Sequence, residues 1–240
     1  MPAVLDLPLS LDMADVLRRE EGNRLREVPP RVLAGILDMR READELRLIR
    51  PAFVYELLPV AEELVDRIRL GDGTTLLGRM LVTRFRGASR IAALVGTIGG
   101  ALEKRSAEWL TVDDPFKAWL LDGIGNAALD ALSREMCRTI SGLALTEHLR
   151  ASGPLAPGVH EIPMENQPAL LRLAGAERIG VRLNDSWMME PVKSISMLIG
   201  VGPDQKSWDR AQACAWCGLK SSCAYRATAY EAYAMPLDES

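Results

Sequence analysis

The chain has 240 residues, of which 48% are apolar and 26% charged, and a net charge of −4. That length and composition suit one large or two small globular domains with a proper core. No overall basic field is present to attract nucleic acid or an anionic membrane, and three Phe, four Tyr and five Trp leave little to stack single-stranded bases on.

The longest apolar run, Ile91 to Leu102, is twelve residues and holds three glycines and a threonine, short of the roughly twenty that a membrane helix needs. The first ten residues have neither a basic n-region nor a long apolar h-region, so the expected location is cytoplasmic. Structural disulfides are rare in that reducing compartment.

In chain order, residues 10–26 read as a helix, with Ser10 as N-cap and Asp12 and Asp15 in the first turn. Pro29 and Pro30 break the chain, and a second helix follows over 31–48 with Val32, Leu33, Ile36, Leu37 and Met39 apolar among charges. Pro51 and Pro59 bracket an extended apolar piece, and 64–70 alternate apolar and charged as a strand does. Gly71-Asp72-Gly73 makes a turn. The pattern predicts a helix over 75–86, a buried strand over 90–97 and a helix from Gly100 to about Leu110. Asp113 or Asp114 then caps a long helix with Pro115 in its first turn. Leu120, Ile124, Ala127, Ala128, Ala131 and Leu132 form one stripe of that helix; Asp122, Asn126, Asp130, Arg134 and Cys137 form another. Gly123, Gly125, Ala127 and Ala128 make it thin enough for a backbone or a flat ligand to approach. Residues 152–164 read as a structured loop and Gln167–Ala174 as a short helix. The stretches 178–183 and 194–201 read as strands that pair antiparallel across the connection between them.

The tail carries the clearest chemical signal. Cys214 and Cys217 stand in a Cys-x2-Cys pair, Gly218 permits a tight turn, and Cys223 follows. Two thiolates so spaced reach one metal ion from one turn, and a third completes most of a ligand set. The set suits an iron–sulfur centre, [4Fe–4S] ahead of zinc, with Cys137 or His148 as fourth ligand. A redox dithiol is the lesser option, because no thioredoxin-like βαβ unit surrounds the pair. Trp216 and Tyr225 flank the cysteines and serve most simply to pack the tail onto the body. No Gly-x-Gly-x-x-Gly, no Gly-Lys-Ser/Thr phosphate loop, no Gly-x-Ser-x-Gly elbow and no Asp-x-His-x-x-Gly corrinoid motif occurs. Asp130 and Glu165 are the acid or base residues of a small-molecule enzyme reading. Each has a simpler role: Asp130 as a partner of Arg134, and Glu165 as a cap of the helix beginning near Gln167. In Leu155–Pro163, the turn at Pro157-Gly158 offers backbone N–H and C=O groups to a nucleoside or carboxylate.

Two segments carry a resemblance. Pro157-Gly158-Val159, Leu170-Leu171, the run from Ile179-Gly180 through Asn184-Asp185-Ser186 and Met189-Glu190-Pro191, and Lys193-Ser194-Ile195-Ser196 stand in order over about fifty residues. They resemble the reactivation domain of cobalamin-dependent methionine synthase, whose pattern is a Pro-Gly-Tyr loop, a Leu-Leu helix, Ile-Gly-x-x-Leu-Thr-Glu-Ser-x-x-Met-x-Pro and a Ser-x-Ser strand. Upstream, Thr97–Glu103 and Asp122–Asp130 are similar to the N-terminal half of short, free-standing relatives. Those relatives also end in a cysteine cluster followed by Tyr-Arg, as in Cys223-Ala224-Tyr225-Arg226.

The resemblance implies an α+β fold, a mixed or antiparallel sheet with flanking helices in a helmet-like arrangement. It divides the chain into an N-terminal helical extension (1–28), the activation-like domain (29–203) and the cysteine-cluster tail (204–240). In the family this domain binds S-adenosylmethionine and caps the cobalamin domain while cob(II)alamin is reduced and remethylated. The implied role here is an accessory factor that docks on a corrinoid-binding protein or methyltransferase, which alone holds the cobalamin. Electrons would come from a ferredoxin or flavodoxin, or through the cysteine centre, since iron–sulfur centres reach low potentials. The alternative is a non-enzymatic iron–sulfur or zinc module. Asp130, Ala156, Pro157, Gly158, Glu165, Asp185 and Ser186 fall at the implied S-adenosylmethionine site. The family's arginine and tyrosine of that site fall at Pro154 and Val159, neither of which replaces a guanidinium fork.

Overall fold

A computed structural model describes residues 2–11, 16, 29–159, 161–208, 210–218 and 220–222. Most of the helix expected over 10–26 lies outside these residues. In chain order the elements are β1 (Ala3–Leu5), α1 (Pro30–Glu45), β2 (Ala52–Glu63), β3 (Arg67–Leu70), β4 (Thr75–Leu77), α2 (Arg79–Arg84), β5 (Arg90–Thr97), α3 (Ala101–Thr111) and α4 (Pro115–Thr146). There follow β6 (Arg150–Ala151), α5 (Asn166–Ala174), β7 (Arg182–Leu183), β8 (Met189–Glu190), β9 (Ser194–Gly202) and α6 (Arg210–Ala215).

Among the described residues seven strands form one sheet, ordered β4-β3-β2-β5-β9-β6, with β1 paired to β2; β7 and β8 form a separate two-stranded ribbon. β1–β2, β2–β3, β3–β4 and β6–β9 pair antiparallel. The central bonds run in the same sense: Val60 N–H donates to Ser89 O and Arg50 N–H to Ile98 O, and Ser89 N–H donates to Val201 O and Ile98 N–H to Lys193 O. β5 and β9 are buried along almost their whole length, as their near-continuous apolar sequences require. The outermost strands on this path are short: β4 has three residues and β6 two. The α+β architecture with an antiparallel sheet is the class expected.

Two compact units share the chain: Met1–Tyr55, Val95–Met136 and Ala174–Ile195 in one, and Glu56–Leu94, Cys137–Leu173 and Ser196–Ser240 in the other. In the first, α1 begins on Pro30, whose missing N–H costs nothing at a helix start. It buries Ile36, Met39 and Ala43. α4 begins on Pro115, with the Asp114 carboxylate accepting Lys117 N–H at 3.1 Å. Its expected stripe, Leu120, Ile124, Ala127, Ala128, Ala131 and Leu132, is buried with Leu102 of α3. In the second unit the core gathers Ile68, Leu70, Leu76, Leu81, Phe85 and Ile91 with Leu170 and Leu198.

Three expectations are corrected. Residues 75–86 are not one helix: Thr75–Leu77 is a strand and only Arg79–Arg84 is helical, with Gly78 between them at φ +134°, outside any helix. The stretch 178–183 is not one strand: Arg178 and Ile179 end a 3₁₀ turn, Ala176–Ile179, closed by Gly180 at φ +72°, which leaves a two-residue strand. That strand pairs with Met189–Glu190, not with 194–201.

Candidate functional site

The Pro-Gly turn is placed by β9. Leu155 and Leu198 exchange backbone bonds of 2.9 and 2.7 Å, and the chain then turns back on itself. Val159 N–H donates to Ala156 O, Gly158 N–H to Ile162 O and Ile162 N–H to Val159 O. Gly158 sits at φ +78°, and a Cβ there would meet Met164 Sδ at 2.7 Å. The turn uses the N–H of Gly158 and the C=O of Ala156 internally. Pro157 is buried, while Gly158 and Val159 are exposed.

Asn166 anchors the same segment. Its amide accepts Leu77 N–H at 2.7 Å and donates to Leu77 O at 2.8 Å and Pro163 O at 3.1 Å. It thus stands in for a neighbouring strand beside β4. Gln167 accepts the Ser196 hydroxyl at 2.9 Å. Glu165 is exposed just before α5.

Asp185 and Ser186 lie on the loop that closes the β7–β8 ribbon. Asn184 organises it: its side-chain oxygen accepts the N–H groups of Ser186 and Met188 at 3.0 and 3.1 Å, and its main chain pairs with Met188 and Trp187. Trp187 adopts φ +60°, and Asp185, Ser186, Trp187 and Met188 are all exposed. The following Glu190–Pro191 peptide is cis.

After that proline the chain delivers Lys193 into a polar cluster. Its Nζ donates to Asn126 Oδ1 at 2.6 Å and pairs with Asp122 Oδ1 at 2.7 Å, and Asn126 Nδ2 donates to Asp122 Oδ2 at 3.1 Å. Its carbonyl accepts Ile98 N–H and the Thr97 hydroxyl, and Glu103 accepts Val192 N–H at 2.9 Å. A Cβ on Gly125 would lie 2.8 Å from Leu102 and 3.3 Å from Lys193 Cε. The thin stretch of α4 at Gly125 thus admits a leucine and the lysine stem, where a backbone or a flat ligand was expected. Asp130 lies about two turns beyond Asp122 along α4, half-buried. Lys193 was missed as a site residue; the available signal was a single cation opening an apolar strand, with Asp122 and Asn126 one helical turn apart.

In the tail, Cys217 N–H donates to Cys214 O at 3.3 Å and Lys220 N–H to Cys217 O at 3.1 Å, so the cysteines flank a tight turn. Trp216, within it, meets Trp208 edge to face at 5.8 Å, and Trp208 stacks on Phe85 at 6.5 Å. The Arg84 guanidinium lies 4.0 Å from the Trp216 ring centre. Trp208 fills the space over Gly153, where a Cβ would approach within 2.5 Å of the indole. Trp216 thus packs the tail onto the body, as expected; Tyr225 lies outside the described residues.

The cysteine ligand set fits a metal centre only in part. Cys137 packs its sulfur 3.9 Å from Met197 Sδ, and burial pushes its thiol up to about 12, away from the thiolate a metal requires. His148 is exposed beyond the end of α4. Among the described residues no group of three His, Cys, Asp or Glu side chains is placed to hold a metal ion; Cys223 lies outside them. No helix among them is long and apolar enough to cross a membrane.

No protein-family model matches the sequence, and no curated protein matches it. By structure, the chain is similar to a crystal structure of the MetH reactivation domain bound to AdoHcy, with a TM-score of 0.59 and 16% sequence identity. The match covers 74% of this chain and 66% of that one, so the chain spans just under two thirds of that structure's length. The fold of this chain is that of a reactivation domain.

Proposed function

We infer that the chain serves the reductive reactivation of a corrinoid methyltransferase by docking on the corrinoid-bearing protein. The observation that carries this reading is the fold, matched over 74% of the chain by a domain whose structure holds AdoHcy. Asp130, Ala156, Pro157, Gly158, Glu165, Asp185 and Ser186 are the residues proposed to face the nucleoside and amino-acid parts of S-adenosylmethionine. When bound, that molecule would supply a methyl group to the partner's reduced cobalt. This chain's residues would orient it and exclude water.

One observation favours a role without the methyl donor. Val159 is exposed at the tip of the turn, an apolar side chain where the family carries a tyrosine, and Pro154 stands for its arginine. Neither supplies a donor to a carboxylate. The electron would then come from a ferredoxin- or flavodoxin-type donor, or from an iron–sulfur centre on Cys214, Cys217 and Cys223. The described residues offer two of those three thiols, so docking is the better supported part of the reading.

The test mixes the protein with a cob(II)alamin-loaded corrinoid protein and a low-potential reductant, with and without S-adenosylmethionine, and follows the cobalamin spectrum. Faster reduction or remethylation together with complex formation is expected. A partner that neither binds nor changes its rate in either arm overturns the reading. Calorimetry with S-adenosylmethionine separates the two forms: micromolar binding favours the methyl donor, and no heat favours the role without it.

A further inference from the structure

The Cys214–Cys217 turn supports a chemistry that does not rest on corrinoid docking and that competes with an iron–sulfur centre on the same two thiols. The bond from Cys217 N–H to Cys214 O spans three residues, and a turn of this kind brings the first and fourth Cα atoms within about 7 Å. A disulfide bridges Cα atoms at about 4.4–6.8 Å. The two ranges meet, so the turn closes to a disulfide with a small adjustment. Both cysteines are partly exposed, which gives a reaction partner access. The turn is also held: Trp216, between the two thiols, packs against Trp208 and beneath Arg84, and Trp208 is seated over Gly153. A fixed turn keeps the two cysteine main chains near each other in the reduced state, which raises the effective concentration of the second thiol. Cys137 is intermediate in exposure too, but its sulfur packs against Met197 Sδ.

We propose that Cys214 and Cys217 form a redox-active dithiol that reduces disulfides by thiol–disulfide exchange. One thiolate attacks a sulfur of the substrate disulfide and displaces the first thiolate, giving a mixed disulfide. The second cysteine, having given up its proton to water, attacks the bonded cysteine sulfur and releases the second thiolate. Both released thiolates take up protons. The net reaction converts one dithiol and one substrate disulfide into an intramolecular disulfide and two substrate thiols, and two electrons pass to the substrate.

The experiment equilibrates the full-length protein, purified anaerobically, with a series of reduced and oxidised glutathione mixtures. Each sample is alkylated and its peptides are mapped by mass spectrometry. Metal content is measured on the same preparation. The expected result is a single two-electron transition that removes two of the four thiols. One peptide crosslink, Cys214 to Cys217, accounts for it, and the Trp216 fluorescence changes in step. Cys223→Ser is expected to keep the transition, and Cys217→Ser to stop at a glutathione adduct on Cys214. The proposal is overturned if both thiols stay alkylatable across the series, if Cys214 or Cys217 crosslinks to Cys223 instead, or if iron or zinc bound through both thiols keeps them from reacting. Mapping the unaltered protein decides the question even where a variant does not fold.

Discussion

Lys193 carries its charge into the protein with a side chain only 10% exposed, while the carboxylate of Asp122 keeps 49% of its surface in water. The two partners therefore respond differently to deletion. Removing Asp122 leaves a buried ammonium with Asn126 as its remaining side-chain partner, whereas removing the lysine frees a carboxylate that water already reaches. Asp122→Ala is expected to cost about 2–3 kcal/mol and Lys193→Met about 1 kcal/mol, read from urea unfolding midpoints. Equal losses would count against this asymmetry. Asp72 gives a pH-dependent case. The Thr74 N–H bonded to its carboxylate, then the Thr74 hydroxyl and Arg172, hold it below its ordinary 3.8 against the opposing effect of burial. A depressed carboxylate contributes stability that is full above 3.8 and lost as pH falls through its lower folded value. Asp72→Asn keeps the turn's hydrogen bonding and removes the charge. It is expected to cost less than about 1 kcal/mol at pH 7, and the difference from the unaltered protein should close as pH falls below 3.8.

Within α4 two glycines make opposite predictions. Gly125 faces Leu102 and Lys193 so closely that a Cβ would have to displace them, whereas a Cβ on Gly142 would meet nothing within 4 Å. Gly142→Ala is expected to stabilise by about 0.5–1 kcal/mol through helix propensity. Gly125→Ala is expected to destabilise by about 1–2 kcal/mol, because overpacking outweighs that gain. Thermal unfolding of the two variants reads the sign directly. This helix was legible from Pro115 and its buried stripe, because both signals are local. The strand at Thr75–Leu77 was not, although its partner β3 is adjacent in sequence, because three residues are too few to show a period. The stretch 178–183 misled for a related reason. Alternation reports which side chains share a face, and it is silent on φ; Gly180 at +72° ends any long strand there.

At the scale of the whole molecule, β5, β9 and the first half of β2 were readable as strands, and the resemblance implied the α+β class. Their order was not, since Ser89–Val201 and Ile98–Lys193 bonds join segments about a hundred residues apart. The site residues divided in the same way. Asp185 and Ser186 share one loop, and Ala156 to Gly158 share one turn, because each group is contiguous in sequence. Lys193, Asp122 and Asn126 meet only through folding, and no local pattern announces such a meeting. The tail from Gln205 to Trp216 is part of the packed body: Gln205 donates to Arg86 O at 2.9 Å and Trp208 stacks on Phe85. Trp208→Ala is expected to cost about 3 kcal/mol, measured by chemical unfolding. A loss below about 1 kcal/mol would show that the tail is merely apposed.

The short outermost strands carry a consequence for how copies of this chain behave in a crowded solution. A sheet recruits further chains through unpaired main-chain groups at its edges, and fibre-forming stretches are typically six or seven residues long. Thr75–Leu77 and Arg150–Ala151 present only three and two residues at those positions, Leu77 is already engaged by Asn166, and Arg150 adds a charge to the shorter strand. An incoming strand would gain too few bonds to offset its lost freedom, so the sheet stops growing where the fold stops it.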